Sequence, residues 1–233
     1  MRNLPYVPSS TPATLEELRP PGKRSLGFSM YGPNQSGRIS QTDSPTFFRI
    51  YGRRKASEML MLNFQIRPLS AEDRSWIAGF IRARWGAPQV ISRGRLHQVD
   101  RLPGFVAAYQ GSDRAVAGRL PAGFVAGLIT YSIEGPDCEI VSIDSLMERV
   151  GIGSALIQSV LEAARAQGCR RVWLITTNDN TPALRFYQRR GFRLVAVHRG
   201  AVDQARRIKP QISLLGIDGI PIHDEIELEM LLP

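Results

Sequence analysis

Apolar and polar residues follow a regular spacing from about residue 61 onward, and this spacing predicts alternating strands and helices. Leu62–Arg67 alternates apolar and polar side chains, which is typical of a half-buried strand. Ser70 then suits a helix N-cap, and Gly86 suits the position just beyond the end of that helix. Further strands are predicted at Phe105–Tyr109, Phe124–Ile133, Cys138–Asp144, Arg171–Thr176, Phe192–Val197 and Glu225–Leu232. Further helices are predicted at Gly151–Gln167 and from an N-cap at Thr181 to Gly191.

The order of these elements is β, α, β, β, β, α, β, α, β, β. This order predicts the α/β fold class, with a mixed parallel and antiparallel sheet as in α+β proteins. Phe105–Tyr109 and Phe124–Ile133 suit an antiparallel hairpin, and two βα units follow them. Side chains of a strand alternate between its faces, so Glu139, Val141 and Ile143 are expected to share one face. We expect residues 61–233 to form one domain.

Residues 1–58 differ from the rest of the chain in composition. They are basic and rich in Pro, Ser and Gly, and they show no sustained apolar period. Such a segment buries too little apolar area to offset the entropy lost on ordering. We therefore expect a disordered tail. A second hypothesis is an incorrectly assigned start, with translation beginning at Met59 or Met61.

Charge and composition narrow the classes of function. The chain has a formal net charge of +9, and its first 60 residues hold 9 basic and 4 acidic residues. This excess in the tail argues against nucleic-acid binding by the folded part, whose milder charge suits a phosphate-bearing ligand. Apolar runs are far shorter than the ~20 residues of a membrane span, and the start lacks an apolar signal segment. We expect no membrane association, no metal, two reduced cysteines and a cytoplasmic location.

The turn Val150-Gly151-Ile152-Gly153-Ser154-Ala155 carries specific chemistry. It follows the strand Cys138–Asp144 after a short link and opens a helix. Its glycines allow close approach to the backbone, and the free amides of the first helical turn favour an anion such as a pyrophosphate. A Rossmann site is disfavoured because Leu156 stands at the third glycine position, and a Walker A loop lacks its Lys-Ser/Thr. A tight turn without a ligand is the alternative.

A second polar stretch contains Asn180 and the pattern Leu184-x-Phe186-Tyr187-x-x-x-Gly191-Phe192. Together with the glycine turn, it resembles the GNAT superfamily of N-acetyltransferases over about residues 62–198. The turn is similar to the pyrophosphate loop of that superfamily, and the second stretch is similar to its second acetyl-CoA motif. The resemblance implies a GNAT-like acyl-CoA N-acyltransferase fold, with acetyl-CoA as the acyl donor and no metal.

The resemblance also implies roles for individual residues. Tyr187 is expected near the thioester sulfur, where it can protonate the departing thiolate. Asn178 belongs to the same acetyl-CoA-binding set, and Asn180 is expected either near the pantetheine or as a helix cap. Arg189 and Arg190 are expected to be solvated, or to meet the adenosine 3′-phosphate. The turn expected to hold the pyrophosphate consists of Arg149, Val150, Gly151, Ile152, Gly153 and Ser154, and the strand end expected to pair with the pantetheine consists of Ile143, Asp144 and Ser145.

Transfer to an amine requires that an ammonium group first lose a proton to a base. Glu139 matches the position at which some members of the superfamily place a general base, and its apolar neighbours are expected to raise its pKa. A water chain, or Asp144 with Ser145, could serve instead, and a solvent-facing position for Glu139 is also open. The acceptor site is expected from Trp76–Trp85, Val90–Leu102 and Gly200–Asp224. There Asp218, Asp224 and Glu225 suit a cationic amine, and Arg93 and Arg95 suit a carboxylate.

We therefore expect an N-acetyltransferase that moves an acetyl group directly from acetyl-CoA to an amine of a small molecule or protein. The alternative is a non-catalytic acyl-CoA-binding regulatory module of the same fold, which would share the pyrophosphate turn. The expected partner is the amine acceptor, and a homodimer is left open.

Overall fold

The computed structural model describes residues 64–110, 125–145 and 150–233, with the side chains of residues 83–85 left out. The tail over residues 1–58, the start of the first predicted strand, and Arg149 lie outside the described residues.

The described residues form nine strands and four α-helices. The strands are β1 Phe64–Pro68, β2 Gln89–Ser92, β3 Arg95–Gln98, β4 Gly104–Tyr109, β5 Val125–Glu134, β6 Asp137–Ser145, β7 Arg171–Thr177, β8 Arg193–His198 and β9 Glu225–Leu231. The helices are α1 Asp73–Trp85, α2 Ile152–Ala166, α3 Thr181–Gln188 and α4 Ala201–Ile208, with short 3₁₀ turns at Val99–Arg101 and Ile217–Gly219.

Seven of these strands form one sheet in the order β1-β4-β5-β6-β7-β9-β8, and β2 and β3 form a separate hairpin. Strands β6 and β7 are parallel, whereas the other neighbours in the sheet are antiparallel. The predicted mixed sheet and the predicted pairing of β4 with β5 are therefore confirmed.

Helices α2 and α3 pack on one face of the sheet, where Leu156, Val160 and Tyr187 join the main apolar core. Helix α1 and the β2–β3 hairpin cover the other face next to β5 and β6, through residues such as Ile77 and Val90. Helix α4 covers the continuation of that face over β7. The buried residues of α2 recur at helical spacing and include Leu156, Val160 and Ala164.

Of the three residues predicted to share one face, Glu139 and Val141 do so, whereas Ile143 does not. Ile143 packs in the core under α2, whereas Val141 packs with α1 on the opposite face. The cause is a bulge: Thr130 pairs with Ser142 but Tyr131 pairs with Ile140, so Val141 is an extra residue in β6. One extra residue reverses the alternation of faces that follows it.

Several local predictions also need correction. Glu72, not Ser70, precedes α1, and Ser70 instead donates its backbone N–H to the Asp73 carboxylate at 2.8 Å. Asn180, not Thr181, caps α3 with its side chain. The β2–β3 hairpin and α4 were not predicted, because each is short and carries few apolar residues. Gly86 ends α1 in the left-handed conformation with φ of 77°, as predicted.

Candidate active site

The glycine turn leaves backbone donors exposed at the start of α2. Gly151 has φ of 87°, a left-handed conformation that favours glycine. The N–H groups of Ser154 and Ala155 both donate to the carbonyl of Gly151, at 3.0 and 3.1 Å. The N–H groups before them, at Ile152 and Gly153, have no acceptor within the helix, which is the general property of a first helical turn. The positive end of the helix dipole also favours an anion at this position.

Gly153 lies directly against α3. A Cβ atom built at Gly153 would lie 3.0 Å from Cζ of Phe186, so a larger residue would displace the ring or the helix. The close approach brings the first turn of α2 beside the basic end of α3. An open groove of about 420 Å³ follows this contact, lined by Ser154, Pro182, Arg185, Phe186, Arg189 and Arg190.

Arg190 shapes this groove. Its Nη1 donates to the carbonyl of Phe186 at 2.8 Å, and its guanidinium lies 3.5 Å from the centroid of the Phe186 ring. Its Nε donates to the hydroxyl of Ser154 at 3.1 Å. Arg190 is therefore held in the groove and is not the freely solvated charge that one sequence expectation gave. The Arg189-Arg190 pair was the signal available in the sequence, but only the fold shows that the Arg190 side chain points into the groove.

Strands β6 and β7 pair over four residues and then separate. Ile140 and Leu174 form their last pair, although β6 continues to Ser145 and β7 to Thr177. Each strand keeps its other neighbour beyond that point, since β6 stays paired with β5 and β7 with β9. The sheet therefore opens into a wedge whose carboxyl-terminal mouth lies next to the glycine turn.

Glu139 lies at the closed end of this wedge. It pairs in register with Trp173, one position before the last pair, and is only 5% exposed. Burial raises its pKa to about 7, while Ser92 and Arg95 act in the opposite direction. The solvent-facing alternative for Glu139 is wrong. A carboxyl group with such a pKa is half ionised near neutral pH, as a general base requires.

The remaining strand-end residues occupy the wall of the wedge. Ile143 is buried under α2, Asp144 is buried on the α1 face, and Ser145 is half-buried at the end of β6. Their backbones, not their side chains, face the separated part of β7.

Tyr187 is a core residue of α3 and is only 2% exposed. Its ring packs edge-on against Phe186 and Phe192, with centroids 5.2 and 5.7 Å away. It belongs to the same apolar cluster as Ile140 and Leu174, the last pair before the wedge. Burial raises the pKa of its phenol, so the hydroxyl keeps its proton at neutral pH.

Asn180 and Asn178 hold the backbone after β7. The Asn180 side chain accepts a hydrogen bond from the N–H of Ala183 at 3.2 Å, which is the capping option of the two expected. Asn178 accepts from the N–H groups of His223 and Asp224, both at 3.0 Å, and donates to the carbonyl of Pro221 at 2.9 Å. Asn178 therefore fixes the segment that leads into β9.

The three segments expected to form the acceptor site lie on one face of the sheet, the face of Glu139. Their charged residues are mostly paired. Arg95 forms an ion pair with Glu134, and the backbone N–H of Arg93 donates to Glu225 at 3.0 Å. Among the described residues, no group of three His, Cys, Asp or Glu could hold a metal ion. Within the same ranges, no helix combines the length and apolar character that a membrane span requires.

Comparison with known proteins agrees with this geometry. A sequence model of the acetyltransferase (GNAT) family matches residues 70–192. The chain belongs to this family. It is accordingly an acyltransferase, and the enzymatic interpretation is favoured over the non-catalytic module.

Relatives of this GNAT protein include two proteins of Bacillus subtilis (strain 168). YdhI is 43% identical over 150 residues, which cover 64% of this chain and 87% of YdhI. YxbD is 38% identical over 163 residues, which cover 70% of this chain and 96% of YxbD. The crystal structure of a GNAT acetyltransferase from Elizabethkingia anophelis with acetyl-CoA bound matches with a TM-score of 0.52 and 19% identity, over 73% of this chain and 99% of that one. This structural match supports the fold.

Proposed function

We propose that this GNAT enzyme transfers an acetyl group from acetyl-CoA directly to an amine of a small molecule or protein. The observation that carries the proposal is the wedge beyond Ile140 and Leu174, which has exposed amides at its mouth and Glu139 at its closed end. A long, thin thioester carrier fits such a wedge, with its phosphates outside and its acyl group inside.

The phosphates are bound at the mouth of the wedge. The amides of the turn from Val150 to Ser154 donate to the pyrophosphate, and the α2 dipole stabilises its charge. Arg185, Arg189 and Arg190 line the adjoining groove, where they attract the remaining phosphate of the adenosine end. Gly153 permits this arrangement, because a side chain there would meet Phe186.

The pantetheine arm lies between the separated strands. It carries amide groups that can replace the missing strand partner, so the backbone of Ile143, Asp144 and Ser145 pairs with it as an edge strand would. This direction leads the thioester toward Glu139 and Trp173 at the closed end. Asn180 supports the opposite wall by capping α3, and Asn178 supports it by fixing the segment before β9.

The chemistry then needs one base and one acid. The Glu139 carboxylate accepts a proton from the acceptor ammonium, and the neutral nitrogen attacks the thioester carbonyl carbon. A C–N bond forms and the C–S bond breaks. The Tyr187 hydroxyl donates its proton to the departing thiolate, and the proton that the new amide nitrogen loses restores the hydroxyl, so that CoA leaves as the thiol. Because burial keeps Tyr187 protonated and holds the pKa of Glu139 at about 7, both groups have the required protonation state near neutral pH.

A thiol-release assay tests the proposal. The purified chain is incubated with acetyl-CoA and a panel of small primary amines and short peptides with free amino groups. The expected result is amine-dependent release of CoA together with an acetylated product found by mass spectrometry. Release of CoA that does not depend on any amine would contradict direct N-acetyl transfer.

A further inference from the structure

A buried imidazole faces the Glu139 carboxylate. His97 lies on β3, is only 4% exposed, and has its Nε2 3.4 Å from Oε2 of Glu139. Sequence patterns do not predict this pairing, since the two residues are far apart in the chain and belong to different sheets. The β2–β3 hairpin brings them together by packing over β6.

Two polar atoms of this pair have no hydrogen-bond partner among the residues that the structure describes. They are Nε2 of His97 and Oε1 of Glu139. A buried polar atom without a partner costs on the order of 1–3 kcal/mol, so such atoms need an explanation. A distance of 3.4 Å is within reach of a hydrogen bond after a small side-chain rotation, and catalytic hydrogen bonds often shorten when the substrate binds.

We propose that His97 is a positioning residue, which donates its Nε2–H to Oε2 of Glu139 and thereby directs Oε1 toward the acceptor amine. This inference rests on the proposed function, in which Glu139 is the base. The two carboxylate oxygens then have separate tasks. Oε2 is held by the hairpin, and Oε1 receives the proton.

The surroundings favour a neutral imidazole in this role. Burial lowers the pKa of His97, and the positive charge of Arg95 acts in the same direction. Glu134 opposes both effects on His97, and it also raises the pKa of Glu139 together with Glu225. Ser92 on β2 and Arg95 on β3 favour the Glu139 carboxylate. A neutral histidine has one N–H group. When that proton is on Nε2, the ring donates a hydrogen bond to the carboxylate and carries no positive charge that could itself act as an acid.

Substitution of His97 should move the pH profile. In His97→Leu the carboxylate loses a donor that favours its charged form, so the pKa of Glu139 rises. The acidic limb of kcat/KM is expected to shift upward by about one pH unit, the size of one hydrogen bond to a charged group. We expect kcat to fall about tenfold or more, with the KM for acetyl-CoA unchanged. His97→Gln keeps an N–H at the same position and should restore much of the rate and the original limb.

His198→Gln is the matched control, because His198 lies on β8, outside the expected acceptor segments, and its Nε2 pairs with Oε2 of Glu227 at 2.8 Å and not with Glu139. It should leave the profile unchanged. An unmoved acidic limb and an unchanged kcat in His97→Leu would overturn the inference. If Glu139→Gln were itself fully active, the general-base part of the proposed function would fail instead.

Nitrogen-15 NMR of the native protein gives a readout that depends on neither activity nor a variant that folds. The ring nitrogens of His97 should report a neutral ring with the proton at Nε2. A proton found at Nδ1, with Nε2 bare, would overturn the inference.

Discussion

Arg190 donates a hydrogen bond from Nε to Oγ of Ser154 at 3.1 Å, which joins the end of α3 to the first turn of α2. The contact links the two motifs that are separated in the sequence. It also holds a guanidinium beside the amides of the glycine turn, so the proposed phosphate site combines backbone donors with a fixed positive charge.

Arg190→Gln should weaken CoA binding. Loss of a charge-assisted hydrogen bond corresponds to about a 10- to 100-fold increase in Kd. Isothermal titration calorimetry with CoA checks this value, and Arg207→Gln, an exposed charge on α4, is the control. Dephospho-CoA should bind the wild type and Arg190→Gln about equally if this arginine meets the 3′-phosphate. Equal CoA affinity for wild type and Arg190→Gln would contradict the phosphate assignment.

Gly153→Val should abolish CoA binding at concentrations that saturate the wild type. The new side chain would meet Phe186, because even a Cβ atom lies 3.0 Å from its ring, and it would crowd the donors of the turn. Gly79→Val is the matched control, because Gly79 is exposed on α1 with open space around its Cβ position. Retained CoA affinity in Gly153→Val, measured by calorimetry, would argue against the turn as the pyrophosphate site.

The pH profile should show the titration of Glu139. The base must be ionised, and its pKa lies at about 7, so kcat/KM should fall as the pH drops below about 7. Glu139→Gln should lower kcat about 100-fold or more, the usual contribution of a general base. Glu134→Gln, an exposed neighbour that pairs with Arg95, should keep most of the rate. A flat profile from pH 6 to 8 in the wild type would point to a water chain as the base.

Glu139→Gln should also stabilise the folded protein at alkaline pH. The pKa rises from 4.5 to about 7 on folding, so the folded state binds the extra proton between these values and its stability falls as the pH rises through that window. At pH 8 the wild type carries the full cost of a buried charge, about 3 kcal/mol. Urea unfolding should therefore show the variant more stable at pH 8 and nearly equal to wild type at pH 4.5. Equal stability at both pH values would mean that Glu139 titrates normally.

Tyr187→Phe should lower kcat about 10- to 100-fold, because general acid catalysis is lost while the aromatic packing is kept. CoA affinity should change little. Tyr131→Phe is a control of the same chemistry, since Tyr131 is also buried in the core but lies on β5. Steady-state kinetics and calorimetry check both values, and unchanged turnover in Tyr187→Phe would remove it from the proton-transfer scheme.

The elements around the wedge were predictable because long apolar periods and clear caps mark them. The strand predicted at Cys138–Asp144 is Asp137–Ser145, and the helix predicted at Gly151–Gln167 is Ile152–Ala166. The bulge at Val141 was not predictable, because an extra residue in one strand depends on the partner strand.

The elements that cover the Glu139 face of the sheet were harder to predict. Only Val202 and Ala205 of helix α4 are buried, and polar residues surround them in the sequence. The sequence pattern of this segment therefore indicates a charged loop and not a helix. The β2–β3 hairpin turns at Arg93 and Gly94, with φ of 48° and 74°, whereas the strong hairpin signal is Asn-Gly. Without that hairpin the sequence could not place His97 next to Glu139.

Strand β9 lies between β7 and β8, although it follows both in the sequence. During synthesis from the N-terminus, β7 therefore emerges with one open edge, and β8 with its exposed Leu194, Val195 and Val197 has no place in the sheet until β9 arrives. Glu225 of β9 also accepts the hydrogen bond from Arg93 that docks the hairpin tip. Nascent chains are thus open to edge-to-edge aggregation until β9 has emerged and paired, which makes translation speed and chaperone access at that stage a determinant of the yield of folded protein.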